Sequence, residues 1–396
     1  MNIYNLRNGD CIEQMQQMED NSIDSIVTDP PYELGFMGKK WDSTGIAFNV
    51  QVWEQALRIL KPGGHLIAFS GSRTYHRMAV AIEDAGFEIR DQIMWIYGSG
   101  FPKSLDVSKA IDRQADVERE VVDSYKRSGR SGGILGKETE IIRNITTPTT
   151  DKAKQWAGGG TALKPAHEPM VLARKPLIGT VAANVIIYGT GALNIDGSRI
   201  EFQSEADKAS ATPQGKVTVN LVGNIPDVEN GGRKELDRPD NSKGRFPANF
   251  IHDGIDEDWA RYFYCAKASK KDRNAGLENF EAKSIGDKGN GLARICASCG
   301  SSTIQGCECP DRTYINPTRA NHHPTVKPTD LMRYLVRLIT PPNGTVLDPF
   351  MGSGSTGKAA MLESFNFIGI ELNKDYFDIA KARIKHAQSL TDKFLL

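Results

Sequence analysis

Short apolar runs that alternate with amphipathic helical patterns constrain this chain more than any other feature. Ser25-Ile26-Val27, His65 to Phe69, Ile93 to Tyr97, Pro169 to Ala173, Thr345-Val346-Leu347 and Phe367 to Ile370 are strand-like, and turn residues bound several of them. Helical patterns at Val52 to Leu60 and Tyr75 to Ala85 lie between several of them, and another at Ile12 to Met18 precedes the first. Strands alternating with helices imply parallel pairing and a layered α/β domain with a central sheet. At roughly 150 residues per domain, 396 residues suggest two or three units. A hydrophobic content of 39% and a charged content of 25% suit a chain that buries a full core.

Thr28-Asp29-Pro30-Pro31-Tyr32 follows the first of these runs directly and reads as a loop at the end of a buried strand. Its residue types fit methyl transfer to an exocyclic amine conjugated with an aromatic ring. Such a nitrogen is a poor nucleophile, so groups must accept its N–H bonds and draw it toward a tetrahedral shape. Asp29 offers a carboxylate and Pro30 a backbone carbonyl. Consecutive prolines, Pro30 and Pro31, stiffen the loop, and Tyr32 supplies a flat face for an extruded base. A proline turn with a capping acid and a packed tyrosine has the same letters.

A second loop narrows the choice. Thr345 to Gly357 reads as an apolar strand, a tight turn and a helix start near Ser355. Gly352 and Gly354 allow close approach of a ligand, and the helix start presents free N–H groups. Glu371, seventeen residues beyond Gly354, closes the next apolar run. An acid at the end of a second strand in such a unit commonly binds ribose hydroxyls.

On these motifs the chain resembles the amino-group DNA methyltransferases that use S-adenosylmethionine. The catalytic loop comes first and the cofactor loop last, as in the permuted beta class of that family. Within the resemblance, His323-Pro324-Thr325-Val326-Lys327-Pro328 precedes the cofactor helix, and Thr325, Lys327 and Pro328 help hold the methionine end. Asp10 and Cys11, in Asn8-Gly9-Asp10-Cys11, fall where the family contacts the cofactor adenine. Asp348, Phe350, Gly352, Gly354, Ser355 and Glu371 complete the implied cofactor set. From the residues alone, Asp10 is equally a helix N-cap, and Lys327 a solvated lysine before the amphipathic pattern Leu331, Leu335, Val336, Leu338. The family's adenine-N6 enzymes usually begin the catalytic motif with Asp and its cytosine-N4 enzymes with Ser. Adenine N6 in duplex DNA is therefore the expected target, with cytosine N4 as the alternative, and base flipping is needed to reach it.

The implied organisation has a catalytic half at 1–103, an insertion at 104–164, a returning strand at 165–175, a target-recognition region at 176–320 and a cofactor half at 321–396. Formal net charge is zero, yet residues 101–180 carry fourteen Lys/Arg against ten Asp/Glu, whereas residues 1–60 carry four against nine. The insertion holds the basic tract Ser124 to Gly133, which could meet phosphates or remain a surface loop. Cys296, Cys299, Cys307 and Cys309 lie within fourteen residues, close enough to converge on a structural zinc. Free thiols in a loop are the competing reading. No eighteen-residue apolar run and no signal peptide stand in the sequence, so a cytoplasmic, bacterial or phage-encoded protein with no membrane association is expected. A homodimer is an expectation of the family alone. Two other classes compete: an RNA or protein methyltransferase, usually with the opposite motif order, and a non-enzymatic zinc-bearing DNA-binding protein, which leaves both loops without purpose.

Overall fold

The computed structural model describes residues 3–35, 42–98, 104–130, 138–202, 204–211, 217–220, 233–236, 243–254, 263–284, 295–296, 314–315 and 318–394. The chain begins with β1 (Tyr4–Asn8), α1 (Cys11–Gln16), β2 (Ile23–Thr28), α2 (Val50–Ile59), β3 (Leu60–Phe69), α3 (Tyr75–Asp84) and β4 (Glu88–Ile96). It continues with α4 (Val107–Gln114), β5 (Val121–Arg130), β6 (Glu138–Thr146), α5 (Asp151–Gln155), β7 (His167–Arg174), α6 (Val181–Tyr188) and α7 (Glu205–Ala211). Next come β8 (Val217–Asn220), β9 (Arg233–Leu236), β10 (Phe250–His252), β11 (Phe263–Tyr264) and α8 (Lys270–Asn274). The two-residue strands β12 (Lys283–Ser284), β13 (Ile295–Cys296), β14 (Tyr314–Ile315) and β15 (Thr318–Arg319) lead to α9 (Thr329–Ile339), β16 (Thr345–Asp348), α10 (Ser355–Leu362), β17 (Asn366–Glu371) and α11 (Lys374–Phe394).

Nine strands form one sheet in the order β1-β17-β16-β2-β3-β7-β4-β10-β11. Its pairings are parallel except at β7, which runs against β3 and β4. The expected α/β sheet is therefore present, and one antiparallel strand departs from uniform parallel pairing. That reversal follows from the connection: the segment between β4 and β7 holds α4, α5 and the β5–β6 hairpin, and the chain re-enters the sheet at the end it left, with His167 beside Ile96.

Both faces of the sheet are covered, which explains why its central strands read as continuous apolar runs rather than alternating ones. Along β3, Ile67 and Phe69 pack with α9, α10 and α11, whereas Leu66 and Ala68 pack with α1, α2 and α3. The period of two thus divides each strand between two cores. Helix α9 buries Leu331, Met332, Leu335, Val336, Leu338 and Ile339, the stripe expected from its sequence. Among the described residues no helix is long and apolar enough to cross a membrane.

Within the expected insertion, a buried carboxylate ties α4 to the segment 119–150. Asp112 is fully shielded and accepts hydrogen bonds from Arg119 at 3.0 Å, the Thr149 and Thr150 amides at 3.0 and 3.1 Å and the Thr150 hydroxyl at 2.8 Å. The stretch 176–320 contributes to the main sheet through β10 and β11. Its Val185-to-Tyr188 run is helical, and Asn184 on α6 ties that helix to the Pro62 carbonyl at 2.8 Å. Of the basic tract, residues 124–130 belong to β5 and the remainder lies outside the described residues. Cys296 is buried on β13, opposite Tyr314 of β14. Cys299, Cys307 and Cys309 lie outside the described residues, so the expected zinc is not addressed by the geometry.

Candidate active site

Strands β2 and β16 are neighbours, so the loops that leave their C-terminal ends meet. This is where open α/β sheets bind ligands. A cavity of about 1950 Å³ opens there, lined by Asp29, Pro30, Pro31 and Tyr32 on one side and by Asp348, Phe350, Gly352, Ser353, Ser355 and Glu371 on the other. Asp10, Cys11, Thr325 and Lys327 also line it. Two members of the implied cofactor set stand back. Pro328 precedes α9, and Gly354 is the N-cap of α10.

The two loops are fastened by one carboxylate. Asp348 accepts from the Thr28 hydroxyl at 2.7 Å, the Thr356 hydroxyl at 2.6 Å and the Phe350 amide at 3.1 Å. Burial pushes its pKa up to about 6 despite those donors. The glycines have distinct tasks. Gly352 takes φ +52°, and a Cβ there would stand 2.9 Å from the His323 ring. Gly354 takes φ +78° and packs against α11, where a Cβ would come within 2.9 Å of Ala380 Cα. The first leaves room for the His323 ring against the loop, and the second lets the helices close behind it.

Glu371 ends β17 and accepts from the Gly352 amide at 2.8 Å and the Asn373 amide at 2.7 Å. Its pKa is pushed up to about 7 by burial. Each oxygen accepts one of these bonds and has a second lone pair. Asp10 caps α1, accepting from the amides of Ile12 at 2.8 Å and Glu13 at 3.2 Å, while also lining the cavity. The capping and site readings are therefore compatible. Burial raises the Cys11 thiol to about 12, which keeps it a neutral wall.

At the catalytic loop, Lys327 donates to Asp29 Oδ2 at 2.6 Å and lies 3.3 Å from Glu168 Oε2. Tyr32 donates its hydroxyl proton to the same Glu168 oxygen at 2.8 Å. Asp29 Oδ1 is buried and has no hydrogen-bond partner among the described residues. Burial raises the Asp29 pKa, with Lys327 opposing. Lys327 stays charged because two carboxylates hold its proton against burial. Its ammonium also sits 5.1 Å from the Tyr32 ring centroid and 4.9 Å from that of Phe69, within cation–π range.

Sequence reasoning missed Arg383, Asp272 and Arg273, which brace these loops. Arg383 on α11 is fully buried and donates to the Ser353 carbonyl at 2.6 Å, while Ser355 donates to the Lys327 carbonyl at 3.0 Å. Burial lowers the Arg383 pKa to about 10, still charged at neutral pH. Asp272 receives Lys358 at 2.7 Å and the Thr329 amide at 2.9 Å, joining α8, α9 and α10. Arg273 donates to the His323 carbonyl at 2.8 Å. Glu168 escapes a reading of the sequence because it stands beside His167 at the start of an apolar strand. A charge inside the run His167 to Arg174 is the available signal.

A family model described as DNA methylase, of the N6/N4 type, matches residues 23–382. The chain belongs to this family. Among curated relatives, YubD of Escherichia coli (strain K12) is 45% identical over 67 residues, which are 17% of this chain and 30% of that protein. The type II methyltransferase M2.LlaDCHI of Lactococcus lactis subsp. cremoris is 43% identical over 65 residues, 16% of this chain and 24% of that protein. The chain thus matches less than a third of the length of either relative. Similar solved structures include the M1.HpyAVI–SAM complex, with TM-score 0.40 and 18% identity over 96% of this chain and 99% of that one. The cytosine-N4-specific PvuII DNA methyltransferase has TM-score 0.46 and 13% identity over 100% and 93%.

Proposed function

We propose that this member of the DNA methylase family transfers a methyl group from S-adenosylmethionine to the exocyclic amine of a flipped base in duplex DNA, with adenine N6 as the target. The observation that carries the reading is the unpartnered Asp29 Oδ1, which stands in the same cavity as the glycine loop under Asp348. One loop suits a cofactor and the other an amine, and both open on one space.

S-adenosylmethionine, when bound, supplies a methyl group activated by an adjacent sulfonium. The residues that fit it are the Gly352 loop, which lines the cavity beside His323, Glu371 for the ribose, and the wall of Asp10, Cys11 and Phe350 for the adenine. Asp29 and the Pro30 carbonyl accept the two N–H bonds of the target amine, and Tyr32 stacks on its ring. Holding the amine in line with the methyl supplies much of the acceleration. No strong base is needed, because alkylation makes the nitrogen acidic and a buried carboxylate suffices as acceptor. The aspartate that opens the motif favours adenine over cytosine N4. A structural zinc on Cys296, Cys299, Cys307 and Cys309, a homodimer, the permuted beta-class assignment and a cytoplasmic location belong to this proposal and not to the geometry.

Nucleoside mass spectrometry of plasmid DNA incubated with labelled S-adenosylmethionine tests the function. Labelled N6-methyladenine from wild type and none from Asp29→Ala is the expected result. Labelled N4-methylcytosine would move the target to cytosine. Cofactor binding with no label on DNA would overturn the reading and direct the search to RNA or protein.

A further inference from the structure

Asp29 does not have Lys327 to itself. The ammonium lies between Asp29 at 2.6 Å and Glu168 at 3.3 Å, so two carboxylates share one cation. Both acids are mostly shielded, with side chains 18% and 20% exposed, and the lysine is 8% exposed. Burying an excess negative charge is costly unless it is paired or hydrogen-bonded. Glu168 is held there by the Tyr32 hydroxyl, while the Tyr97 phenol and Lys267 complete its surroundings, Lys267 lying 3.6 Å over the Tyr97 ring. Asp253 and Asp348 are the next charges outward.

We infer that Glu168 is a positioning residue for methyl transfer, dividing Lys327 between two carboxylates so that Asp29 keeps one oxygen free for the base and enough basicity to take the amino proton. The inference rests on the function proposed above and deepens it. A buried one-to-one pair would hold Asp29 as a weak acceptor, because an adjacent cation favours the charged carboxylate. Glu168 acts in the opposite sense on Asp29, through its own charge and through its share of Lys327. During transfer, the amine nitrogen gains a carbon as the carbon–sulfur bond breaks, and the electron pair stays on sulfur. The nitrogen then gives one proton to the Asp29 carboxylate, Lys327 remains charged, and the trio passes from one net negative charge to none.

Glu168→Gln keeps the size and an acceptor oxygen for Tyr32 while deleting the charge. Single-turnover methyl transfer measured against pH should show the acid limb moved about one unit lower. The dissociation constant for S-adenosylmethionine by calorimetry should stay within about twofold. An unmoved limb, or a loss confined to cofactor affinity, would overturn the inference. Titration of the Asp29 carboxyl by carbon-13 NMR reads the same coupling without substrate, and its midpoint should fall in Glu168→Gln. An unmoved midpoint would overturn the inference even if wild type methylated no DNA, whereas that lack of methylation by itself would overturn only the proposed function. Should Glu168→Gln fail to fold, Glu168→Asp retains the charge and must leave the limb in place.

Discussion

Thr28 and Asp348 are joined by a buried 2.7 Å hydrogen bond between residues 320 positions apart. The contact fastens the end of β2 to the end of β16 and thereby sets the spacing between the Asp29 and Gly352 loops. Asp348→Ala removes the acceptor for two hydroxyls and one amide at once. The expected loss is about 2–4 kcal/mol of unfolding free energy, read from urea denaturation. Asp348→Asn should cost less, because one oxygen remains.

The packing glycine of the cofactor loop separates conformation from contact when compared with a glycine elsewhere. Gly158 has φ +82° and no described atom within 4 Å of where a Cβ would stand, whereas Gly354 has φ +78° and Ala380 at 2.9 Å. Gly158→Ala should cost about 1 kcal/mol for the left-handed backbone alone. Gly354→Ala should cost about twice that or more and abolish cofactor binding, because α10 and α11 must part. Equal losses from the two variants would contradict the packing role of Gly354.

Glu371 gives a pH dependence whose sign can be worked out. Its folded pKa is raised to about 7 from 4.5, so the native state binds a proton that the unfolded chain releases across that window. Its contribution is therefore fully present below about 4.5 and is lost as pH rises through about 7. The stability difference between wild type and Glu371→Gln should grow in favour of wild type as pH is lowered from about 8 to about 5. His323 and His65, whose buried rings are lowered to about 3 and about 4, act with the opposite sign but are common to both proteins. A difference independent of pH would contradict the raised pKa.

Arg383 should matter to a ligand it does not touch. Arg383→Met keeps much of the apolar stem but leaves the Ser353 carbonyl without its 2.6 Å donor. Affinity for S-adenosylmethionine should fall about tenfold, equivalent to about 1.4 kcal/mol, in calorimetry. Unchanged affinity would mean that α10 alone holds the loop.

What can be read from the residues is whatever repeats with a period or sits on a strand end. The runs at Ser25–Val27, His65–Phe69 and Pro169–Ala173 become β2, β3 and β7 because both sides of each are buried. Asp29 and Gly352 are legible as loop residues at strand ends, because proline and glycine punctuate the apolar runs they follow, whereas the cavity they share is seen only in the fold. The direction of β7 is not, since an apolar run carries no sign of orientation. Arg383 and Asp272 escape for a related reason. Each sits in a short stretch with several charges, Lys381 to Lys385 and Lys270 to Arg273, where any one residue reads as solvated. Only the folded chain decides which of them is turned inward.

The sheet order also bears on how the protein is made. Strands β17 and β16 stand between β1 and β2, so β1 pairs with Phe367 to Glu371, residues far along the chain. A nascent chain that has passed β11 therefore holds a gap in its sheet, with two unpaired edges, until residues 345–371 emerge. Long-range closure of this kind is slow and leaves apolar edges open to other chains. Exposure of those edges during synthesis, ended once residue 371 has cleared the ribosome, is the corresponding cost of a sheet in which β16 and β17, made late, stand between β1 and β2.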